Sequence, residues 1–306
     1  MKYPSNQIEF EKMFAMEQSC IDYLAFVRWP YGFVCPLCAS INHWKKTKGR
    51  YECKDCNTET SVTSGTIFHK STKPLFIWYR AIWWMVAQKN GVSAKGLQKI
   101  LGIGSYQTAW TWLHKFRKLM VFSSRNKLSG VVEVDETLVG GKKPGKRGRG
   151  AEGKNLVVIA VEVLGRKTGR VRISRIQSAS SKNLNKFILN NIEPSATIIT
   201  DGWSGYNEIK ELGYSRQIQK TNIIEDGEEI LPNIHRIASL LKRWLLGTHQ
   251  SYLNKNKMEY YLDEYVFRYN RRNSKSRGLL FLRLLEQAVI TKPVSYKAIV
   301  KQNYGS

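Results

Sequence analysis

The stretch Gly130-Val-Val-Glu-Val-Asp135 predicts a buried β-strand that ends in an acid. A second stretch, Ala196-Thr-Ile-Ile-Thr-Asp201, repeats the pattern, and its acid lies 66 positions after Asp135. Carboxylates that emerge from a rigid sheet suit divalent ions such as Mg²⁺, which prefer hard oxygen ligands and leave room for water and a substrate phosphate. We therefore predict one catalytic surface that combines Asp135, Asp201 and a third polar residue from the helical stretch 233–243.

The chain between these two acids supplies the order of elements. Strands are predicted at 155–164 and 171–176, joined by a glycine-bounded turn at 165–169, and a helix is predicted at 181–190. Strand, hairpin, helix and strand in this order open a ribonuclease H-like fold, which places one carboxylate on its first strand and another on its fourth. Residues 128–306 are therefore predicted to form a ribonuclease H-like α/β catalytic domain with a mixed sheet.

Composition narrows the class of partner. The chain has 306 residues, of which 42% are hydrophobic, so we expect a globular protein. Its 49 lysines and arginines against 24 acids give a net charge of +25, which favours a polyanion such as DNA through phosphate neutralisation and counterion release. Because no apolar run reaches transmembrane length and the N-terminus is polar, we expect no membrane contact. The expected location is inside the cell.

The cysteines predict a zinc site near the N-terminus. Cys35-Pro-Leu-Cys38 and Cys53-Lys-Asp-Cys56 are two CxxC motifs separated by 14 residues. Four thiolates at this spacing can close a tetrahedral, structural Zn²⁺ site, and residues 1–70 are predicted to hold this zinc ribbon. His43 lies between the motifs and is an alternative ligand. Cys20 sits in an apolar stretch and is expected to be buried.

Residues 71–127 are predicted to be helical. A long apolar helix is expected over 75–87, and Gly102 and Gly104 separate two shorter helices. This order is compatible with a helix-turn-helix DNA-binding domain, although many three-helix bundles share it. If it binds DNA, Gln107, Thr111 and Lys115 are the expected contacts. The chain as a whole is thus predicted to be a multidomain α+β protein.

A glycine-rich basic segment follows the first catalytic strand. It spans Gly140-Gly-Lys-Lys-Pro-Gly-Lys-Arg-Gly-Arg-Gly150 and is predicted to be a loop that grips a DNA strand, with a solvated linker as the alternative. Its predicted DNA contacts are Lys142, Lys143, Lys146, Arg147 and Arg149.

Several motifs resemble those of the ISXO-like insertion-sequence transposases. They are Val-Asp-Glu-Thr-Leu-Val-Gly-Gly-Lys at 134–142, Thr-Asp-Gly-Trp-Ser-Gly-Tyr at 200–206, Ser-Leu-Leu-Lys-Arg-Trp-Leu-Leu-Gly-Thr-His at 239–249 and Tyr-Leu-Asp-Glu-Tyr-Val-Phe-Arg-Tyr-Asn-Arg-Arg at 261–272. The stretches at 28–38 and 64–69 are also similar to that family's N-terminal part, so the resemblance covers nearly the whole chain.

The resemblance implies metal-dependent DNA cleavage and strand transfer by a DDE-type catalytic domain. Asp135 matches the first catalytic acid and Asp201 the second. It also implies Mg²⁺ or Mn²⁺ as cofactor, the element's terminal repeats and target DNA as partners, and a homodimer or higher oligomer on DNA. Arg243 is an expected DNA contact.

The third catalytic position departs from the usual pattern. Family members often carry Glu seven residues before the lysine of the Leu-Lys-Arg motif; here that lysine is Lys242 and the position holds His235, as in some other members. His235 shares a helix face with Lys242, can ligate a metal and shifts the preference towards Mn²⁺. Lys242 can neutralise the scissile phosphate. The acids that can supply the missing carboxylate instead are Glu136, Glu264, Glu225, Asp226, Glu228 and Glu229.

Two other functions stay open on the residues alone. One is a non-catalytic DNA-binding protein, either a regulator or a domesticated transposase silenced by the change from Glu to His. The other is a nuclease that cuts without strand transfer. The presence of both Asp135 and Asp201 argues against the first.

Overall fold

The computed structural model describes residues 2–122, 125–140, 154–219, 230–249 and 255–301. The chain divides into two compact units, an N-terminal unit of residues 1–122 with 274–302 and a sheet unit of residues 123–273. The predicted DNA contacts Lys142, Lys143, Lys146, Arg147 and Arg149, and the candidate acids Glu225, Asp226, Glu228 and Glu229, lie outside the described residues.

The N-terminal unit combines a small sheet with helices. Its helices are α1 (Gln7–Met13), α2 (Glu17–Arg28), α3 (Leu75–Ala87), α4 (Ala94–Ile100), α5 (Tyr106–Leu119), α9 (Arg277–Ile290) and α10 (Tyr296–Lys301). Its strands are β1 (His43–Lys45), β2 (Arg50–Cys53) and β3 (Glu59–Ser61). The three strands form an antiparallel sheet with β2 in the centre.

Helix α9 packs with the N-terminal helices. Phe281 of α9 is fully buried, and its ring contacts those of Phe10, Phe14 and Tyr79. This aromatic cluster explains why residues 274–302 join the N-terminal unit, whereas the predicted catalytic domain extended to residue 306. The predicted domains 1–70, 71–127 and 128–306 therefore do not coincide with the two packing units. They stay a prediction about functional regions.

Helices α3, α4 and α5 form in the predicted region. Ser93 and Ser105 begin α4 and α5 as N-caps, because their hydroxyl oxygens accept the backbone N–H groups of Gly96 and Thr108. Gly102 adopts a φ of +60° in the turn between them, a conformation that glycine adopts without steric cost.

The sheet unit follows the predicted order of elements. Its strands are β4 (Val131–Val139), β5 (Asn155–Leu164), β6 (Lys167–Ile176), β7 (Thr197–Thr200) and β8 (Ser215–Ile218). Its helices are α6 (Ser181–Asn191), α7 (Pro232–His249) and α8 (Met258–Asn270). Short 3₁₀ turns occur at Ser204–Ile209 and Lys255–Lys257.

The strand order of this sheet is β6-β5-β4-β7-β8 across the described residues. Strands β4, β5 and β6 are antiparallel, whereas β7 and β8 run parallel to β4. An antiparallel meander followed, across a helix, by two parallel strands is the ribonuclease H-like arrangement. The predicted fold class is thus confirmed.

Asp135 lies within β4 and not at its end, which corrects the prediction of a strand that stops at the acid. Pairing of β4 with β5 continues from Val132 to Val139, whereas pairing with β7 ends at Glu133 and Ile199. The sheet therefore loses its β7 neighbour just before Asp135, and this opening exposes the carboxylate on one side.

Each face of the sheet is covered by an apolar core. Helices α7 and α8 pack through residues such as Ile237, Leu241 and Leu262 on the face that also carries Val157 and Ile159. Helix α6 covers the opposite face. In the described ranges, no helix is both long and apolar enough to cross a membrane.

Candidate active site and zinc site

The two CxxC motifs adopt the same backbone turn. In the first, Cys35 N donates to Ser40 O at 2.8 Å and Ala39 N donates to Cys35 O at 3.0 Å. In the second, Cys53 N donates to Thr58 O and Asn57 N to Cys53 O, both at 3.0 Å. The residue after each second cysteine has a positive φ. Both loops therefore point their thiols towards a common centre.

The four thiols form a compact cluster. The sulfur atoms of Cys35, Cys38, Cys53 and Cys56 all lie within 4.8 Å of one another, with Cys35 and Cys56 Sγ 3.6 Å apart and Cys38 and Cys53 Sγ 3.5 Å apart. Zn–S bonds of about 2.3 Å in a tetrahedron require sulfurs roughly 3.8 Å apart, so the cluster fits zinc. His43 does not belong to this cluster of ligand atoms, and its Nδ1 lies 2.9 Å from Ile41 O.

One face of β4 carries three polar residues of the candidate active site. Side chains alternate along a strand, so Glu133, Asp135 and Thr137 share the face covered by α7. Glu133 is buried, and the other two are half-buried. Asp135 Oδ1 accepts the backbone N–H of Glu136 at 2.7 Å, which orients the carboxylate.

Asp201 lies just past the end of the strand beside β4. The parallel pairing of β4 with β7 ends at Glu133 and Ile199, and Asp201 follows the last residue of β7 directly. The charge of Asp201 acts on the Asp135 carboxyl, so the two acids lie at the same end of these strands. Asp201 Oδ1 accepts Trp203 N at 3.0 Å, which fixes the turn after β7.

Arg216 of β8 holds this turn from the other side. Its guanidinium donates to Thr200 Oγ1 at 3.0 Å, to Asp201 O at 3.2 Å and to Asn207 Oδ1 at 3.0 Å. Gly205 is required in the turn, since a Cβ there would lie 2.7 Å from Ala179 O. The loop that presents Asp201 is therefore braced by hydrogen bonds and close packing.

Helix α7 is tied to β4 at its first turn. Glu133 Oε2 accepts the backbone N–H groups of Asn233 and Ile234, each at 3.1 Å, and Glu133 Oε1 accepts Asn233 Nδ2 at 2.7 Å. The first N–H groups of a helix have no partner within it, and the buried carboxylate satisfies two of them.

The same attachment positions the next residues of α7 above the acids. His235 follows within the first turn and is exposed. Two turns later, Lys242 Nζ donates to Thr137 Oγ1 at 2.8 Å. The pKa of Lys242 is lowered by partial burial and, secondarily, by the positive charge of Lys154.

The electrostatics connect the two acids with the histidine. Burial raises the pKa of Asp135; the hydrogen bonds from Glu136 oppose this effect, the charge of Asp201 adds to it and His235 opposes it. Among the described residues, only the four cysteines bring three or more candidate ligand atoms within 4.8 Å of one another. The set of Asp135, Asp201 and His235 is not among the groups that meet this criterion in the described part of the chain.

The alternative acids differ in their availability. Glu264 is fully buried and accepts Arg268 Nη2 at 2.7 Å, so its carboxylate is held by an ion pair within α8. Glu136 is half-buried and points to the opposite face from Asp135 by strand alternation.

The three DNA contacts predicted on α5 differ in their exposure to solvent. Gln107 is exposed, but Thr111 is buried and its hydroxyl donates to Gln107 O at 2.7 Å. Lys115 Nζ donates to Ile67 O at 3.3 Å, and burial lowers the pKa of this lysine. Thr111 and Lys115 therefore face the interior of the unit. Arg243 on α7 is exposed.

Sequence reasoning missed Glu133, Thr137 and Arg216. The signal for the first two was the period of two along β4, since they flank Asp135 on the same face. No local signal marks Arg216, because its role depends on β8 lying beside β7.

Comparisons with known proteins match two parts of the chain to transposase domains. Residues 127–270 match the ISXO2-like transposase domain, and residues 15–59 match the transposase zinc-ribbon domain. A protein of Halobacterium salinarum, described as an uncharacterized protein in transposable element ISH50, is 25% identical over 280 residues, which cover 84% of this chain and 92% of that protein. The crystal structure of a pre-cleavage Mos1 transpososome aligns with 69% of this chain and 77% of its own at 9% identity, with a TM-score of 0.27.

Proposed function

Because the chain carries an ISXO2-like transposase domain behind a transposase zinc ribbon, we propose that it cuts DNA at the ends of an insertion sequence and joins them to target DNA. The observation that supports this proposal is the parallel pairing of β4 with β7, which brings Asp135 and Asp201, the residue just after β7, to the same end of the two strands. The partners would be the element's terminal repeats and target DNA, bound by a homodimer or higher oligomer. Its place of action would be the prokaryotic cytoplasm, in association with the nucleoid.

The donor set suits a hard divalent cation. Asp135 and Asp201 supply carboxylate oxygens at one sheet edge, and the pKa of Asp135 is raised first by burial and then by its like-charged neighbour, so a cation there would relieve an unfavourable charge. Mg²⁺ or Mn²⁺ would be held by these acids and by His235 in the third position, where Glu is common in the family. Such a cation polarises a phosphoryl oxygen and lowers the pKa of bound water.

The residues around the acids would position the substrate. Lys242, which is fixed to Thr137, lies on the same helix as His235 and is suited to neutralise the scissile phosphate. The 3′-hydroxyl of the element end would give its proton to solvent water as its oxygen bonds to phosphorus of the target strand, in line with the breaking P–O bond, and the departing 3′ oxygen would take up a proton from solvent. Glu133 and Arg216 would keep α7 and the Asp201 turn in place during this exchange.

The other regions would bind DNA away from the reacting phosphate. We assign this role to the zinc ribbon in 1–70, to the helical region 71–127 through Gln107, and to Arg243 of the 128–306 region. In place of Thr111 and Lys115, the exposed lysines of α4, Lys95 and Lys99, are available on the helix-turn-helix-like region.

Purified full-length protein tests the proposal on duplexes that carry the element's own ends, with Mg²⁺ or Mn²⁺. Asp135→Asn and Asp201→Asn should each abolish cleavage and joining, while DNA affinity stays within about threefold because the basic surface is unchanged. Cleavage without joined product would indicate a nuclease. Binding without cleavage by the wild type under both metals would indicate a non-catalytic DNA-binding protein, and the proposal would be wrong.

A further inference from the structure

Several arginines of the sheet unit gather around the outer strand β6. One set of them has two members on β6, two just after the end of α8 and one before β4. We call this set the edge-strand arginine cluster. Its members are Arg125, Arg170, Arg172, Arg271 and Arg272.

Hydrogen bonds hold the segment before β4 against β6. Arg172 Nη2 donates to Asn126 O at 2.6 Å, and Arg170 Nη2 donates to Lys127 O at 3.0 Å. Arg172 is only 5% exposed, and its other terminal nitrogen donates to Val171 O at 3.0 Å. Arg125, which is exposed, is thereby carried next to the two β6 arginines.

The end of α8 is attached to the same strand. Asn270 Oδ1 accepts Val171 N at 2.7 Å, and Asn270 Nδ2 donates to Val171 O at 3.1 Å, so this amide occupies backbone groups at the free edge of β6. Arg272 donates to Gly169 O at 3.3 Å and also to Thr168 O. Arg271 follows Asn270 directly, so both arginines are brought to the edge.

The charges of the cluster act on one another. Burial, together with the positive charges of Arg125, Arg170 and Arg271, lowers the pKa of Arg172 to about 10, whereas the charge of Glu162 opposes this effect. A group whose ionised form is disfavoured by like charges gains when an anion approaches. The cluster is therefore poised to accept negative charge.

The acids near the cluster leave an excess of positive charge. Glu162 is bonded to Arg170, with a closest distance of 2.5 Å, and Glu193 also acts on Arg170. Glu259 lies near Arg125, but burial raises the pKa of its carboxyl to about 7, so it is partly neutral at physiological pH. Five guanidinium groups thus face three carboxyl groups, one of them only partly charged.

We propose that the edge-strand arginine cluster binds the phosphate backbone of duplex DNA at a surface separate from the cleavage site. The planar guanidinium fork matches phosphate oxygens, and a chain of net charge +25 gains affinity by releasing counterions from DNA. Strand β6 is two strands from β4, about 10 Å across the sheet, and its cluster members Arg170 and Arg172 lie on the face opposite Asp135. The choice of DNA as partner rests on the proposed transposase function.

The test measures the salt dependence of DNA binding by the full chain. The charge-removing variant is Arg125→Gln/Arg271→Gln/Arg272→Gln. The matched control, Lys182→Gln/Lys186→Gln/Lys210→Gln, removes three exposed positive charges elsewhere in the sheet unit. The charge-retaining variant is Arg125→Lys/Arg271→Lys/Arg272→Lys. The probe is a duplex of about 30 base pairs, long enough to extend past a single catalytic site.

Each lost phosphate contact reduces the slope of log Kd against log salt by about 0.9, so the charge-removing variant should lose about 2–3 from the slope. The control should lose less than about 1, and the charge-retaining variant should keep the slope of the wild type. An equal loss of slope in the charge-removing variant and the matched control, or no loss in the charge-removing variant, would overturn the proposal.

Two further measurements keep the result interpretable. Circular dichroism checks whether the charge-removing variant is folded. If it is not, Arg125→Gln alone replaces it, and this single variant should reduce the slope by about 0.9. All slopes are measured in an Asp135→Asn background, which does not cleave if the proposed function is correct. Cleavage by the wild type tests that function separately. If the wild type cleaves and the charge-removing variant keeps the wild-type slope, the proposal for the edge-strand arginine cluster is wrong and the proposed function stands.

Discussion

Glu133 and Asn233 join strand β4, which carries Asp135, to helix α7, which carries His235. Glu133 Oε1 accepts Asn233 Nδ2 at 2.7 Å, and Glu133 Oε2 accepts Asn233 N at 3.1 Å. Glu133 lies two residues before Asp135 and Asn233 two residues before His235. One buried carboxylate therefore sets the position of α7 relative to the acid on β4.

Removal of this carboxylate should cost stability and activity together. Glu133→Ala leaves buried backbone N–H groups without a partner, and we expect a loss of about 2–3 kcal/mol in the free energy of unfolding by urea denaturation. Glu133→Gln keeps an acceptor oxygen and should lose less. The control Glu211→Gln, at an exposed position, should change stability by less than about 0.5 kcal/mol. Equal stability of Glu133→Ala and wild type would show that the contact does not hold α7.

The raised pKa of Asp135 predicts a stability effect with a defined sign. Since its folded-state pKa lies above the unfolded value, its favourable contribution is present at low pH and is lost as the pH rises through the folded pKa. The ionised carboxylate therefore destabilises the metal-free protein at neutral pH.

Asp135→Asn, which retains an acceptor for Glu136 N–H, should accordingly raise the melting temperature at pH 7 in EDTA, and the gain should disappear near pH 4. Added Mg²⁺ should stabilise the wild type and not the variant. Calorimetry at both pH values checks this. A lower melting temperature for the variant at pH 7 would contradict it.

His235 is tested by a series at one position. His235→Ala should impair cleavage if the imidazole completes the metal site, whereas His235→Glu should retain or improve the rate with Mg²⁺, because it restores an oxygen ligand. Strand-cleavage rates with Mg²⁺ and Mn²⁺ measure this. If the His235→Ala protein cuts and joins DNA at the normal rate, a carboxylate elsewhere in the chain completes the metal site in place of His235.

Lys242 should act on the reacting phosphate and not on folding. Lys242→Ala should reduce the cleavage rate by about 10²-fold, the effect of removing one charge-stabilising donor, with the melting temperature nearly unchanged. Lys242→Arg retains the charge and should recover part of the rate. Arg236→Ala removes an exposed charge from the same helix and serves as control. An equal loss of cleavage rate in Lys242→Ala and Arg236→Ala would mean that Lys242 contributes only to the overall positive charge of the helix.

The zinc site predicts one Zn²⁺ per chain by elemental analysis. Cys53→Ser should lose the metal and unfold β1–β3, since the site's binding energy supports this small sheet. Cys20→Ala, at a buried cysteine outside the cluster, should retain the zinc. Acid should release the ion as the thiolates take up protons. A zinc-free protein with an intact ribbon would contradict the assignment.

Local patterns in the sequence were enough to predict the zinc ribbon, the order of strands and the two acids. Cysteine spacing is short-range, and Cys35 to Cys56 meet within one small sheet. The apolar runs at β4 and β7 predicted strands because alternation and β-branched residues depend on neighbours along the chain. The choice of His235 came from the family resemblance, which places the third catalytic residue seven positions before Lys242.

The amino-acid sequence by itself determined which residues have the chemistry of the site, and tertiary structure decided which of them can use it. Thr111 and Lys115 have the right side chains for DNA contacts, yet packing turns them inward. Glu133 becomes the support of α7 only because residue 233, a hundred positions later, folds against β4. Burial and register depend on contacts between distant segments, and no local pattern specifies them.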